Sequence, residues 1–363
     1  MRPLPLGLTT LAACAAWAPA QASLLFMGAY PNSLIVFDES KGAVVQRIPL
    51  ATGLPTSLRA SADKKTIYVT TITNSGIEVL DVATRKVTNK FSLNTPTQRY
   101  RFNGGAPDPT GKLFYTVITQ IDKGVDRFEV SKPKYAVIDL AQQKVIATYD
   151  VAKEDEEGAR GFRSSMLVSD DGKYLYQFRD KVIVLDTTTF KVVERIDLAK
   201  PEAPGLEGVS FGAPLDAISE RGRHVSLFNG SDPHVHNRVF GVARFDLATR
   251  EFQYTPIGPA PGQMAGLQVT PDGRQAYTVV TNGVTGNKRC EIWRFSMSAN
   301  TLQQKSEFPC KSRFTFGMSG DGRKLYMYGA SFEIDVYDAK SLKFERTWDL
   351  QNDITGAGMI VTP

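Results

Sequence analysis

The 363-residue sequence is poor in the side chains that carry redox and metal chemistry, with three cysteines, three histidines and three tryptophans. No Cys-x-x-Cys-His occurs, which excludes covalently attached c-type haem. No Gly-x-Gly-x-x-Gly follows a strand and opens a helix, so a dinucleotide-binding fold is excluded. There is no Gly-x-Ser-x-Gly nucleophile elbow of the α/β-hydrolase kind. Beyond the first 22 residues no run reaches the ~18 apolar residues needed to span a bilayer. Charge of one sign is also scarce: 43 basic against 38 acidic residues leave a net +5, too small and too dispersed an excess to point to nucleic acid. The sequence therefore predicts no redox cofactor held by this chain itself.

What is present starts with an export signal. Arg2 gives a minimal positive start, Leu4 to Ala18 is mostly apolar, and Ala20-Gln21-Ala22 is a small-x-small cleavage site. Residues 1–22 are read as a signal peptide, and 23–363 as the mature domain, periplasmic or secreted. Leu11-Ala12-Ala13-Cys14 also fits a lipoprotein pattern, which would anchor the chain at Cys14. Against that, Ser23-Leu24-Leu25-Phe26 starts a strand at once and leaves no polar tether. After cleavage only Cys290 and Cys310 remain, at the two ends of a predicted hairpin centred near Ala299. In an oxidising compartment they are expected to form a disulfide.

One unit recurs along the mature chain: an apolar strand, a tight turn, a strand with a central aromatic, a third strand ending in Asp, and a fourth strand. The tight turns include Ser61-Ala62-Asp63-Lys64-Lys65, Ser169-Asp170-Asp171-Gly172-Lys173, Thr270-Pro271-Asp272-Gly273-Arg274 and Ser319-Gly320-Asp321-Gly322-Arg323. Asp-Gly between β-formers signals a hairpin, because Gly supplies positive φ without strain. The third strands include Ile77-Glu78-Val79-Leu80-Asp81 and Ile334-Asp335-Val336-Tyr337-Asp338. Their terminal Asp is read as a turn cap rather than a catalytic acid. Complete units start near residues 55, 100, 162, 207, 263 and 313. Residues 23 to 50 supply three strands of another, and Ile354 to Val361 supply a lone strand matching the first strands. The predicted fold is all-β, a seven-bladed β-propeller of four-stranded antiparallel blades, closed by the C-terminal strand joining the N-terminal blade. Ring closure removes the open sheet edge.

Long, irregular segments cluster at one end of the blades, called here the top: Gln120 to Glu129, Asn229 to Asn237 and Asn282 to Lys288. Function is expected there, on variable loops held by a rigid scaffold. Arg163 and Arg313 occupy matching rungs of their first strands, and Arg101 lies within one residue of that rung. Together they predict a positive funnel for an anion or an acidic partner loop. Alternatively, these arginines pair with Glu207 or the acidic run Glu154 to Glu157. Asp232, His234 and His236 are candidate metal ligands, although two histidines and one carboxylate make a thin set. Trp293 is read as a core residue beside the disulfide.

Ile67-Tyr68-Val69-Thr70-Thr71, followed by Asn74-Ser75-Gly76-Ile77-Glu78-Val79-Leu80-Asp81-Val82-Ala83-Thr84, resembles the YVTN-type propeller repeat of exported bacterial proteins. A narrower resemblance covers most of the mature chain. It rests on Asn32-Ser33-Leu34-Ile35-Val36-Phe37-Asp38, on Arg127-Phe128-Glu129-Val130-Ser131-Lys132-Pro133 before Tyr135-Ala136-Val137-Ile138-Asp139, and on Ile334 to Leu342 followed by one closing strand. These segments are similar to the propeller (beta) subunit of quinohaemoprotein amine dehydrogenase and, more distantly, to the methylamine dehydrogenase heavy chain. The resemblance implies a subunit that docks a cytochrome c-like subunit and a small quinone-bearing subunit and carries no cofactor. The Asn229 to Asn237 loop departs from that pattern. Two other readings stay open: a stand-alone YVTN-type scaffold that binds a ligand or protein partner, and a metal-dependent enzyme built on His234 and His236.

Overall fold

The structure is a computed structural model that describes residues 23–159, 165–178, 181–198, 207–214, 222–231, 234, 237–260, 263–284, 286–311, 314–329 and 331–362. It forms seven antiparallel sheets of a seven-bladed propeller, each built on four strands. First strands of blades two to seven begin at Pro55, Gln98, Ser165, Glu207, Gln263 and Phe314, close to the positions read from the repeats. Blade one takes Leu24–Ala29, Ser33–Asp38 and Ala43–Pro49 from the start of the ring. Its innermost strand is Ile354–Thr362 from the other end. The register runs Leu25 opposite Val361, Phe26 opposite Ile360 and Met27 opposite Met359.

The apolar core lies in the seams between blades. Second and third strands are buried on both faces, as the run Leu34 to Phe37 illustrates. One set of side chains packs forward and the other backward. Phe26, Leu34 and Val36 meet Leu58, Ile67 and Val69 of blade two, while Leu25, Met27, Ile35 and Phe37 meet Tyr326, Tyr328 and Ile334 of blade seven. Similar clusters fill the other five seams. A blade that buries both faces cannot stand alone, so apolar burial and ring completion are one event. Outer strands alternate exposed and half-buried residues, as in Lys144–Asp150.

The turn chemistry explains why the repeat reads so clearly. Ser61 Oγ donates to Asp63 Oδ1 at 2.6 Å, and Asp63 Oδ1 accepts the Lys65 N–H. Ser61 Oγ in turn accepts the Thr66 N–H. The same set recurs at Ser169/Asp171, Thr270/Asp272 and Ser319/Asp321. Gly172, Gly273 and Gly322 take φ near +70°, and Lys64 takes that conformation where the repeat lacks its glycine. The strand-end aspartates are turn caps as expected. Asp81 accepts the Thr84 N–H, Asp186 those of Thr188 and Thr189, and Asp338 that of Ser341. These donors hold the carboxyls of Asp63, Asp81, Asp171, Asp186 and Asp272 below the ordinary range.

Cys290 and Cys310 are disulfide-bonded, with Cα atoms 5.2 Å apart. Cys290 lies opposite Phe308 at the end of the third and fourth strands of blade six, so the hairpin register brings the two sulfurs together. Trp293 lies three residues along, buried, with its Nε1–H donated to Glu291 and Lys305 over its ring.

Among the described residues no helix is long and apolar enough to cross a membrane. The only helical stretch among them is a short one, Lys153–Asp155 running into Glu156–Ala159, between blades three and four.

Candidate functional site

The two ends of the propeller differ in chemistry. Among the described residues, the bottom turns, between strands one and two and between strands three and four, are short and mostly capped as described above. Top turns, between strands two and three, carry exposed apolar side chains. These are Tyr30 in blade one, Ile72 in blade two, Val125, Phe128 and Val130 in blade three, Val284 in blade six and Phe332 in blade seven. Their exposure runs from 44% at Ile72 to complete at Val125. The other exposed large apolar residues among those described, Ile146, Val193, Leu302 and Phe344, lie on outer strands. No described bottom turn carries one. Apolar side chains left in water on five described turns of one end outline an apolar rim.

Blade three rises above this rim. Its third strand, Lys134–Asp139, starts opposite Ile118. The first and second strands, Gln98–Pro107 and Leu113–Lys123, continue past that point, and Phe128–Val130 folds back along Lys123 to Ile121. The Gln120 to Glu129 segment, expected as an irregular loop, is therefore mostly ordered strand. The correction has a backbone reason: Gly124 N–H donates to the Arg127 carbonyl and Ser131 N–H to the Gln120 carbonyl, so the ladder simply continues. The result is a three-stranded flap.

Arg101 sits on this flap, exposed, opposite Thr119. Arg163 and Arg313, the other two members of the expected funnel, lie outside the described residues, as do Asp232 and His236. His234 is exposed. Among the described residues no group of three or more His, Cys, Asp or Glu is arranged to hold a metal. The described part of the acidic run has nearby partners. Asp155 is buried against Lys181 at 2.5 Å and Arg195 at 2.9 Å, Glu154 pairs with Arg195, and Glu156 pairs with Lys132. Burial alone would raise the Asp155 carboxyl, but the bonds from Lys181 and Arg195 outweigh it and leave it lowered. This cluster ties the short helical stretch to blades three and four.

His224 is buried in blade five and stacks on Phe178 at 3.7 Å between ring centres. Burial, with a smaller contribution from Arg59, holds it down to about 3, so it is neutral packing. Glu78 is 1% exposed; its Oε1 accepts both the N–H and the hydroxyl of Thr52. Those bonds fix the blade one to blade two connection. An open groove of about 980 Å³ lies between the outer strands of blades five and six, lined by Arg238, Ile257, Pro259 and Asn300. Among the described residues it gathers no titratable cluster.

The flap and the rim went unread in the sequence. Phe128 and Val130 look like core strand residues when only their alternation is seen. The usable signal was their position between strands two and three, where a blade needs only a short turn.

No protein-family model matches the chain, and no curated protein matches it in sequence. Solved structures do resemble it in shape. A functionally unknown protein from Desulfotomaculum acetoxidans aligns with a TM-score of 0.53 at 10% identity, over 92% of this chain and 99% of that one. Apo AztD from Citrobacter koseri aligns with a TM-score of 0.53 at 13% identity, over 94% and 98%. Dihydro-heme d1 dehydrogenase NirN, in complex with DHE, aligns with a TM-score of 0.51 at 15% identity, over 99% and 79%. The likeness is one of fold alone. At such identities a propeller is a scaffold shared by unrelated functions.

Proposed function

We propose that this chain is a non-redox docking subunit, exported to the periplasm after loss of residues 1–22, that holds partner proteins on its top face. The carrying observation is the one-sided apolar rim of Tyr30, Ile72, Val125, Phe128, Val130, Val284 and Phe332. An apolar rim at one end with polar capped turns at the other supports a partner seated on the apolar end. The resemblance to the propeller subunit of quinohaemoprotein amine dehydrogenase suggests the partners: a cytochrome c-like subunit and a small quinone-bearing subunit. The disulfide between Cys290 and Cys310 is in keeping with an oxidising compartment.

The test is co-purification of the tagged chain from its native periplasm, read by visible spectroscopy. A haem or quinone spectrum that elutes with the chain supports the amine dehydrogenase-like complex. A colourless monomer with no associated protein rejects docking. A second reading, a stand-alone YVTN-type scaffold, is favoured by the ring being closed by this one chain through Ile354–Thr362. A purified chain that is soluble and stable with no other subunit would favour it.

A further inference from the structure

The flap of blade three has two faces of opposite character. Along Gln98–Phe102, Ile118–Lys123 and Phe128–Val130, side chains alternate across the sheet. Gln98, Tyr100, Phe102, Ile118, Gln120, Asp122 and Glu129 take the side towards blade two, where Phe102 joins the seam with Tyr68 and Phe91. The polar groups there bond among themselves. Asp122 Oδ1 accepts from Gln98 Nε2 at 3.0 Å and from Gln120 Nε2 at 2.8 Å, and the Tyr100 hydroxyl donates to Gln98.

The opposite face carries Arg99, Arg101, Thr119, Ile121, Lys123, Phe128 and Val130. It has three cations, three apolar side chains and no carboxylate. Arg99, Arg101, Lys123, Phe128 and Val130 are all exposed. Arg99 and Arg101 lie on the first strand of the flap, and Phe128 and Val130 lie on its outer strand. Two residues past the outer strand, Lys132 bonds Glu156 of the helical stretch at 2.8 Å. Two strand spacings give a width of ~10 Å, about one helix diameter.

We propose that this face of the flap docks an acidic amphipathic helix of a partner protein. Its carboxylates would meet Arg99 and Lys123, and its apolar stripe would pack on Ile121, Phe128 and Val130. The inference rests on the docking function proposed above and names the partner's chemistry. A nucleic acid would leave the apolar half of the face without a partner, because its charge lies along the whole backbone.

The probe is a fluorescein-labelled amphipathic helical peptide of Leu and Glu, read by anisotropy with the full-length mature chain. A Leu/Lys peptide of the same pattern, a thymidine 20-mer and vesicles with anionic headgroups serve as controls. The Leu/Glu peptide is expected to bind, to weaken as salt rises, and to lose at least tenfold in affinity with Arg99→Glu/Lys123→Glu and, separately, with Phe128→Ser/Val130→Ser. Because these residues are exposed, circular dichroism and melting of both variants should match the parent chain. Absence of binding, equal binding by either variant, or equal binding of a control through the same residues overturns the proposal. The native co-purification separates it from the wider reading. A partner held equally by parent and Arg99→Glu/Lys123→Glu chains removes the flap's role and leaves docking standing. No partner with the parent chain removes docking itself.

Discussion

Met27 and Met359 face each other across the seal of the ring, one in the opening strand of the described fold and the other in the closing strand. Both are buried in the seam that also holds Tyr326, Tyr328 and Ile334 of blade seven. The opening and closing strands thus share one sheet and one apolar cluster with blade seven, and blade one is complete only with the closing strand.

Deleting residues 353–363 should therefore cost more than one strand. It bares the ladder edge of Leu24–Ala29 and opens the seam to blade seven. The expected outcome is soluble oligomer or aggregate instead of monomer in size-exclusion chromatography with light scattering. A monomer with unchanged melting temperature would contradict ring closure as the stabilising device.

The disulfide closes a short segment of blade six, with a sequence separation of 20 between its cysteines. Replacing both by Ser should lower stability by about 3 kcal/mol on loop-entropy grounds. Denaturant unfolding with and without reductant is the measurement: the parent chain should shift with reductant and the double variant should not.

Acid should weaken the fold in two windows. His224 is held down to about 3 against an ordinary value of 6.5, so the unfolded chain binds a proton that the folded chain refuses. Stability then falls as pH drops below 6.5, by about 1.4 kcal/mol per pH unit, until about pH 3. The capped turn aspartates, lowered from 3.8, act below that value and in the same direction, since their contribution is lost on protonation. Melting temperatures of the parent and of His224→Gln between pH 7 and 4.5 separate the two. The slope should flatten in the variant, and a parallel slope would assign the acid loss elsewhere.

Asp155 is a structural anion. Its Asp155→Ala variant leaves Lys181 and Arg195 facing each other without the carboxylate that both contact. A loss of about 2 kcal/mol is expected, discounted from the cost of breaking a fully buried pair because both cations are partly solvated. Urea unfolding checks it, and a change within experimental error would show that Glu154 and water take over.

The repeat was legible because each of its signals is local. A Ser-x-Asp-Gly turn needs only its own few residues to close, and Asp81 or Asp186 needs only the next three N–H groups to act as a cap. Third-strand runs such as Val182 to Leu185 are apolar throughout, since both faces meet a blade. The disulfide followed from hairpin register. The expected arginine funnel and histidine site depend on Arg163, Arg313, Asp232 and His236, which lie outside the described residues. Of the funnel, the described part places Arg101 on the flap.

Sequence alone determined the number of blades, their starts and the way the ring shuts, because turn chemistry and alternation act over a few residues and recur from blade to blade. Only the tertiary structure decided that Phe128 and Val130 are in water while Phe114 and Val117 are buried. The same alternation serves both, and what separates them is whether a neighbouring blade reaches that height. The asymmetry of the two ends is likewise a property of the assembled ring, since no single unit contains the blades that cover or fail to cover its turns.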